Sequence, residues 1–137
     1  MRAVFDTNVL ISAWLSPGGT ASQCLAAAEQ GLITSLTCEP ILHEFVEKLH
    51  VKFGQTPEQA NRIAERIRQI SILIEPVHGG VHEITADPKD NLVIECAVVG
   101  QATHIVSGDR RHLLPVGSYR GVVIIPPAEC VRLLRHS

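Results

Sequence analysis

Apolar and polar residues alternate along the chain in short blocks, and turn residues separate these blocks. Five blocks rich in β-branched residues predict strands, at residues 2–5, 32–36, 71–77, 104–109 and 122–125. Longer stretches with apolar residues three and four positions apart predict helices, at residues 20–30, 40–52, 57–69, 88–99 and 126–135. Strands that alternate with helices are typical of an α/β fold with a mainly parallel sheet.

Several predicted helix boundaries carry their own signals. Gly31 stands where a helix would stop, and Pro40 suits the first position of the next helix. In the TPEQ segment at 56–59, we expect Thr56 to cap a helix and Gln59 to bond back to the backbone of Thr56.

The predicted helix at 88–99 differs from the others, because it is apolar on most sides. Asp87 is expected to cap it, Pro88 to begin it and Gly100 to end it. A helix that is apolar all round is usually buried, so we expect this helix to lie in the core.

Two aspartates stand at the ends of predicted parallel strands. Asp6 follows the first strand, and Asp109 ends the strand at 104–109. Ligands bind beyond the carboxyl ends of the strands in such sheets, so we expect both carboxylates at one edge of the sheet. Asp90, in the first turn of the buried helix, is a candidate third member of the group.

Composition limits what kind of protein this is. The 137 residues, 45% of them hydrophobic, suit one domain spanning residues 1–137. The four cysteines stand in apolar stretches and are expected to be buried, without forming a disulfide framework. We see no secretory leader and no run of ~18 apolar residues, so we expect a cytoplasmic protein. A net charge of −2 argues against tight duplex binding but permits a transient encounter with nucleic acid.

Carboxylates crowded at one edge of a sheet repel each other, and a divalent cation relieves that repulsion. Mg²⁺ and Mn²⁺ prefer oxygen ligands and often bind substrate phosphate oxygens as well. One or two such ions can activate water and stabilise a pentavalent phosphate. The aspartates therefore indicate a metal-dependent phosphodiester hydrolase.

Each aspartate also has a purely structural interpretation. Asp6 could cap a strand end and Asp109 could cap a turn, although the apolar surroundings of Asp6 require a partner for its charge. Asp87 suits a helix cap better than a metal ligand. Asp90 suits either role, because a helix dipole stabilises its charge even without a metal.

Glu44 is the hardest candidate to place from the residues alone. It belongs to the predicted helix at 40–52, whose apolar stripe consists of Ile41, Leu42, Phe45, Val46 and Leu49. At ~100° per residue, Glu44 points roughly 140° from the middle of that stripe. The pattern therefore predicts an exposed side chain and does not distinguish Glu44 from Glu39 or Glu47.

Other polar residues near the strand ends could support a site or bind substrate. Asn8, Ser12 and Ser107 could position ligands or water, or only bond to loop backbone. Arg110 and Arg111 directly follow the last aspartate, so they are the best candidates for contacts to RNA phosphates.

Four segments, in this order along the chain, resemble the PIN domain family: FDTNVLISAWLSPGG, EPILHEFVEKL, DPKDN and HIVSGDRRHLL. They resemble in particular its bacterial and archaeal branch of VapC-like ribonucleases, the toxins of toxin–antitoxin pairs. The resemblance covers essentially the whole chain. It implies a three-layer α/β/α sandwich with a central, mainly parallel sheet. It also implies an endoribonuclease dependent on Mg²⁺ or Mn²⁺, which cleaves single-stranded RNA with metal-activated water.

The resemblance further implies roles for named residues. It assigns catalysis and metal binding to four acids, namely Asp6, Glu44, Asp90 and Asp109. Asn8 and Ser107 match positions that support the site, and Ser107 keeps the hydroxyl of the threonine that is frequent there. Asp87 matches an acid with a supporting role. Many members are held inactive by a small antitoxin protein and others process RNA without one, and a homodimer is also expected from the family.

Two other functions fit parts of the pattern. A phosphatase acting through an aspartyl-phosphate would use Asp6 as nucleophile, but such enzymes usually have a second acid where this chain has Asn8. A non-catalytic RNA- or protein-binding PIN-like domain would not need all four acids. A zinc site at His78 and His82 is disfavoured, because the GGV between them indicates a loop and no cysteine joins them.

Overall fold

The computed structural model of the protein describes residues 1–76 and 85–136. The strands of these residues are β1 Arg2–Phe5, β2 Thr34–Thr37, β3 Ser71–Leu73, β4 His104–Val106, β5 Ser118–Tyr119 and β6 Val122–Ile125. The helices are α1 Thr7–Leu15, α2 Thr20–Glu29, α3 Glu39–Phe53, α4 Pro57–Gln69, α5 Pro88–Val99 and α6 Pro127–Arg135. A short 3₁₀ turn, Leu114–Val116, precedes β5.

The six strands form one sheet in the order β3-β2-β1-β4-β6-β5. All neighbours are parallel except β5, which runs antiparallel to β6. In the centre of the sheet, Val4 of β1 lies opposite Leu36 of β2 and Ile105 of β4. The chain first extends the sheet from β1 to β2 and β3, then returns to add β4 on the other side of β1. The carboxyl ends of β1 and β4 therefore flank the point where strand order reverses, the usual ligand position in such sheets.

Helices cover both faces of this sheet. Helix α5 contacts β1, β2 and β4, whereas α1 packs on α2 and α3, and α2 also packs on α6. Right-handed crossovers place helices that follow β1 and β2 on one face and the helix that precedes β4 on the other. The α/β fold with a mainly parallel central sheet, expected from the sequence, is confirmed.

Several local predictions are confirmed as well. Thr56 and Gln59 form the complete capping box at the start of α4. The carboxylate of Asp87 accepts a hydrogen bond from the backbone N–H of Lys89 and so caps α5. All four cysteines are buried and none forms a disulfide. No helix in the described ranges combines the length and the apolar character that crossing a membrane would require.

Helix α1 was not predicted. It begins directly after β1 with Asp6 at its N-cap, but the Asp6 side chain makes no capping bond. Three of its first five residues, Thr7, Val9 and Ile11, are β-branched, and such residues favour strands. The start of α1 therefore lacks a side-chain capping bond, and the helix packs against α2 and α3.

Two predicted strands end earlier than expected. The strand predicted at 104–109 ends at Val106, because the Ser107 hydroxyl accepts a hydrogen bond from the backbone N–H of Asp109 and turns the chain. Asp109 therefore lies in a turn beyond the strand. The strand predicted at 71–77 ends at Leu73, because Leu73 pairs with Thr37, the last residue of the neighbouring strand β2. Residues 77–84 lie outside the described ranges and include His78 and His82.

Candidate metal centre and active site

Asp6 lies at the carboxyl end of the central strand β1 and is only 5% exposed. Its carboxylate accepts a hydrogen bond of 2.9 Å from the Ser107 hydroxyl. Burial raises the pKa of Asp6, although this bond and the nearby backbone N–H of Thr7 lower it, and the negative charges of Glu44 and Asp109 raise it further. Asp6 is thus held in place by hydrogen bonding, but no cation among the described residues pairs with its charge.

Ser107 joins the ends of β1 and β4. Its fully buried hydroxyl donates to Asp6 and accepts from the backbone N–H of Asp109 at 3.0 Å. The Asp109 carboxylate in turn accepts from the backbone N–H groups of Arg111 at 2.9 Å and His112 at 3.2 Å. This turn fixes Asp109 beside the end of β1.

Asp90 and Asp109 form a coupled pair of carboxyls. Burial, a hydrogen bond to Asp109 and the charges of Asp109, Asp6 and Asp87 together raise the pKa of Asp90 to about 8. Burial also acts to raise the pKa of Asp109. The backbone N–H of Arg111 and the hydrogen bond with Asp90 outweigh this effect of burial, so the pKa of Asp109 is lowered. The pair therefore shares one proton near neutral pH, as crowded carboxyls do when no cation separates them.

Glu44 reaches the same edge from α3. Its Oε2 accepts a hydrogen bond of 3.2 Å from the Thr7 hydroxyl. Its Oε1 lies 3.1 Å from Lys48 Nζ and 3.9 Å from Lys89 Nζ. Lys48 Nζ also donates to Asn8 Oδ1 at 2.9 Å, so α1 and α3 are tied together at the site.

The expectation of a solvent-exposed Glu44 is wrong, because its side chain is only 19% exposed. Helix α1, which the sequence pattern did not reveal, packs on α3. The Thr7 hydroxyl at the start of α1 donates to Glu44, so this packing partly covers the Glu44 side chain. Of the other two acids of α3, Glu39 instead binds Arg68, and Glu47 is exposed.

A histidine completes the cluster. One ligand atom each from Asp87, Asp90 and His112 lie within 4.8 Å of one another, a spacing that could hold a metal ion. His112 Nδ1 is 3.4 Å from Asp90 Oδ2 and 3.6 Å from Asp109 Oδ2. Asp87 uses one carboxylate oxygen to cap the backbone N–H of Lys89, which leaves the other oxygen for a cation.

The residues present fit a divalent cation. Asp90 Oδ2 is buried and has no hydrogen-bond partner among the described residues, which normally costs about 1–3 kcal/mol for a buried polar atom. A cation bound there would satisfy this atom and separate the like charges of Asp6, Asp90 and Asp109. Carboxylate oxygens are the ligands that Mg²⁺ and Mn²⁺ prefer.

The remaining predicted residues differ in how near they lie to the acids. Arg110 and Arg111 are exposed and follow Asp109 immediately, beside the acids. Asn8 is exposed but bonded to Lys48. Ser12 is exposed farther along α1, and in the described part of the chain no hydrogen bond joins its hydroxyl to the acids.

Four residues of the site were missed from the sequence: Thr7, Lys48, Lys89 and His112. Lys48 follows Glu44 by four positions, the ordinary spacing of a helical ion pair, so its involvement could have been suspected. His112 follows Asp109 by three positions, which is a weaker signal because the chain there is irregular.

The PIN domain family matches residues 2–111 of this sequence. The chain belongs to the PIN domain family. Members of this family are generally nucleases that depend on divalent metal ions. The matched range of this PIN domain contains all four candidate acids and ends one residue before His112.

A solved structure shares the fold of this PIN domain. It is the crystal structure of VapBC2 from Rickettsia felis bound to a DNA fragment from their promoter. One of its chains superposes with a TM-score of 0.62 over 90% of this chain and 97% of that chain, at 12% sequence identity. At this identity the likeness shows the fold alone. No curated protein matches the sequence significantly.

Proposed function

We propose that this PIN domain, residues 1–137, is an endoribonuclease that cleaves single-stranded RNA and depends on Mg²⁺ or Mn²⁺. The observation that carries the proposal is the meeting of Asp6, Asp90 and Asp109 where strand order reverses. One buried oxygen of Asp90 there has no hydrogen bond to any described residue. The fourth acid, Glu44, contributes its charge to the same group. Membership of a family of nucleases supports the proposal.

In this proposal, Asp6, Asp90 and Asp109 are the principal metal ligands, and Ser107 sets the distance between two of them. Asp90 must lose its proton to become a ligand, so cation binding releases a proton near neutral pH. The bound cation would supply Lewis acidity toward the scissile phosphate and its attacking water. Glu44, partly neutralised by Lys48, lies beside these ligands and is the acid best placed to accept a proton from that water.

Arg110 and Arg111 are the proposed contacts to the RNA backbone. Both are exposed and stand directly after Asp109, so their guanidinium groups can reach phosphates that approach the acids. A net charge of −2 and a short arginine pair suit a flexible single strand held at one point better than a long duplex.

We also propose a protein partner, namely a small antitoxin that holds the nuclease inactive. The support is the shared fold with a chain of VapBC2, a complex that binds promoter DNA. Co-expression with the product of the neighbouring gene tests this point. A stable complex with lower RNA cleavage is expected, and full cleavage in the presence of that product would contradict it.

The decisive test of the nuclease is cleavage of defined RNA by purified variants. Wild-type protein with Mn²⁺ should cleave single-stranded RNA, while the matched DNA and duplex RNA should be poor substrates. Asp6→Asn should lower the rate at least ~10²-fold without unfolding the protein, because it removes a ligand charge and keeps the shape. Glu47→Gln, on the exposed side of α3, removes the same charge elsewhere and should leave the rate unchanged.

Two variants of Ser107 extend that test, because one keeps the hydroxyl and the other removes it. Ser107→Thr keeps the hydroxyl between Asp6 and Asp109, whereas Ser107→Ala removes both of its hydrogen bonds. We expect the alanine variant to lose far more activity than the threonine variant. Full activity of Asp6→Asn would refute the proposal, and a phosphoryl group trapped on Asp6 would indicate a phosphatase instead.

A further inference from the structure

His112 stands at the metal centre, although the family match ends one residue before it. Its imidazole is the only nitrogen ligand candidate within the metal-spaced group that the described residues form, since the other members are the carboxylates of Asp87 and Asp90. Nδ1 of His112 lies between the carboxylates of Asp90 and Asp109, at 3.4 and 3.6 Å. These distances leave room for a cation to be contacted by all three side chains.

The position of His112 is fixed from two sides. Its backbone N–H donates to Asp109 Oδ1, so the turn that carries Asp109 also carries the imidazole. The next residue, Leu113, is fully buried in the core and anchors the chain. The imidazole itself is 37% exposed, so solvent and ions reach it.

A second observation points to a ligand at this place. Asp90 Oδ2, the atom that faces His112 Nδ1, is buried and makes no hydrogen bond within residues 1–76 and 85–136, and Asp90 as a whole is 7% exposed. An imidazole that only served as a hydrogen-bond donor to Asp90 would be expected closer than 3.4 Å. The gap between the two atoms fits two ligands of one ion better than a direct bond.

We propose that His112 is a metal ligand that makes this centre prefer Mn²⁺ to Mg²⁺. Imidazole nitrogen binds Mn²⁺ and later transition ions, whereas Mg²⁺ takes oxygen ligands almost exclusively. A centre built only from Asp6, Asp90 and Asp109 would discriminate weakly between the two ions. The inference rests on the proposed function, since it concerns the cation of the same site, and it adds a residue and a selectivity.

The direct test is electron spin echo spectroscopy of the full chain loaded with one equivalent of Mn²⁺. Coordination by His112 should give ¹⁴N modulation of the Mn²⁺ signal, and labelling the protein with [¹⁵N]histidine should shift it to the ¹⁵N frequency. The modulation should disappear in His112→Gln. His136→Gln is the matched control, because His136 is exposed at the end of α6, and it should keep the modulation.

Calorimetric titration of the same proteins measures the selectivity. His112→Gln should raise the Kd for Mn²⁺ about tenfold or more, the usual effect of losing one residue from a metal centre, and change the Kd for Mg²⁺ less than threefold. The wild-type signal with labelled histidine needs no variant, so the proposal stays testable even if His112→Gln folds poorly.

The outcomes separate the role of His112 from the nuclease itself. RNA cleavage with Mn²⁺ but without nitrogen modulation would overturn the role of His112 and leave the nuclease intact. Nitrogen modulation without any RNA cleavage would overturn the nuclease and leave the metal centre. An equal loss of Mn²⁺ and Mg²⁺ affinity in His112→Gln would also overturn the proposed selectivity.

Discussion

Asp90 illustrates how a single residue can serve a site and weaken the fold. Its carboxyl is buried and lies against other acids, and in the described part of the chain one of its oxygens has no hydrogen bond. The folded protein therefore holds a proton on Asp90 up to pH about 8, whereas an unfolded chain releases it near 3.8. Between these values the folded state binds more protons, so its stability falls as pH rises.

We predict that Asp90→Asn stabilises the protein in the absence of divalent metal. In the wild type, the contribution of protonated Asp90 to the stability of the fold is fully present below pH ~4 and is lost as pH rises through about 8. Near pH 8 the variant should be more stable than the wild type by on the order of 2–4 kcal/mol. This is less than the pKa shift of Asp90 alone would give, because the lowered pKa of Asp109 offsets part of it. Urea unfolding in EDTA from pH 4.5 to 9 measures this.

Glu47→Gln is the control for that experiment, because it removes a carboxylate from an exposed position. Its stability should follow the wild-type curve across the same pH range. A wild-type curve that is flat between pH 5 and 8, or an Asp90→Asn curve parallel to it, would contradict the prediction.

At the scale of elements, α4 and α1 begin in opposite ways. Helix α4 has a complete capping box and a proline in its first turn, so its start is encoded locally. Helix α1 has no side-chain cap, and its first residue, Thr7, turns its hydroxyl to Glu44 instead. Local stability is thus concentrated in a helix away from the acids, while the helix beside them is held by tertiary contacts.

We predict that Thr56→Ala lowers the free energy of unfolding by about 1 kcal/mol, the usual effect of losing a helix N-cap. Thr56→Ser keeps an oxygen that can accept from the backbone N–H of Gln59 and should retain most of the stability. Denaturant unfolding measures both variants. Metal affinity should be unchanged in each, and a changed Kd for Mn²⁺ would show that the start of α4 is coupled to the acids.

At the scale of the whole molecule, the candidate site draws on elements that are distant along the chain. Asp6 follows β1, Glu44 stands on α3, Asp90 on α5 and Asp109 in the turn after β4. A cation held between several of these acids connects parts of the fold that otherwise repel each other. Cation binding should therefore stabilise the entire fold rather than one loop.

We predict that removing divalent metal lowers the melting temperature of the protein. With free Mn²⁺ at 100 times its Kd, the folded state should gain about 2.7 kcal/mol over the metal-free protein. Thermal melts with Mn²⁺, and again after EDTA, measure this. Asp6→Asn should lose most of the Mn²⁺-dependent shift, whereas Glu47→Gln should keep it, and equal shifts in all three proteins would point to nonspecific binding.

The sequence by itself determined most of the architecture. Alternating apolar blocks predicted the order of strands and helices apart from α1 and β5, and local chemistry at Thr56 and Asp87 predicted two helix starts. Because parallel strands present their carboxyl ends at one edge, the proximity of Asp6 and Asp109 also followed from the order of elements. These features depend on neighbouring residues or on topology, and a sequence carries both.

Only the tertiary structure decided how the site is completed. Helix α1 begins with β-branched residues and has no side-chain capping bond, so neither its existence nor its contact with Glu44 was predicted from the pattern. The approach of Lys89 to Glu44 and of His112 to Asp90 joins residues on separate elements. Such contacts depend on how elements pack and where a turn redirects the chain, and hydrophobic periodicity holds no information about either.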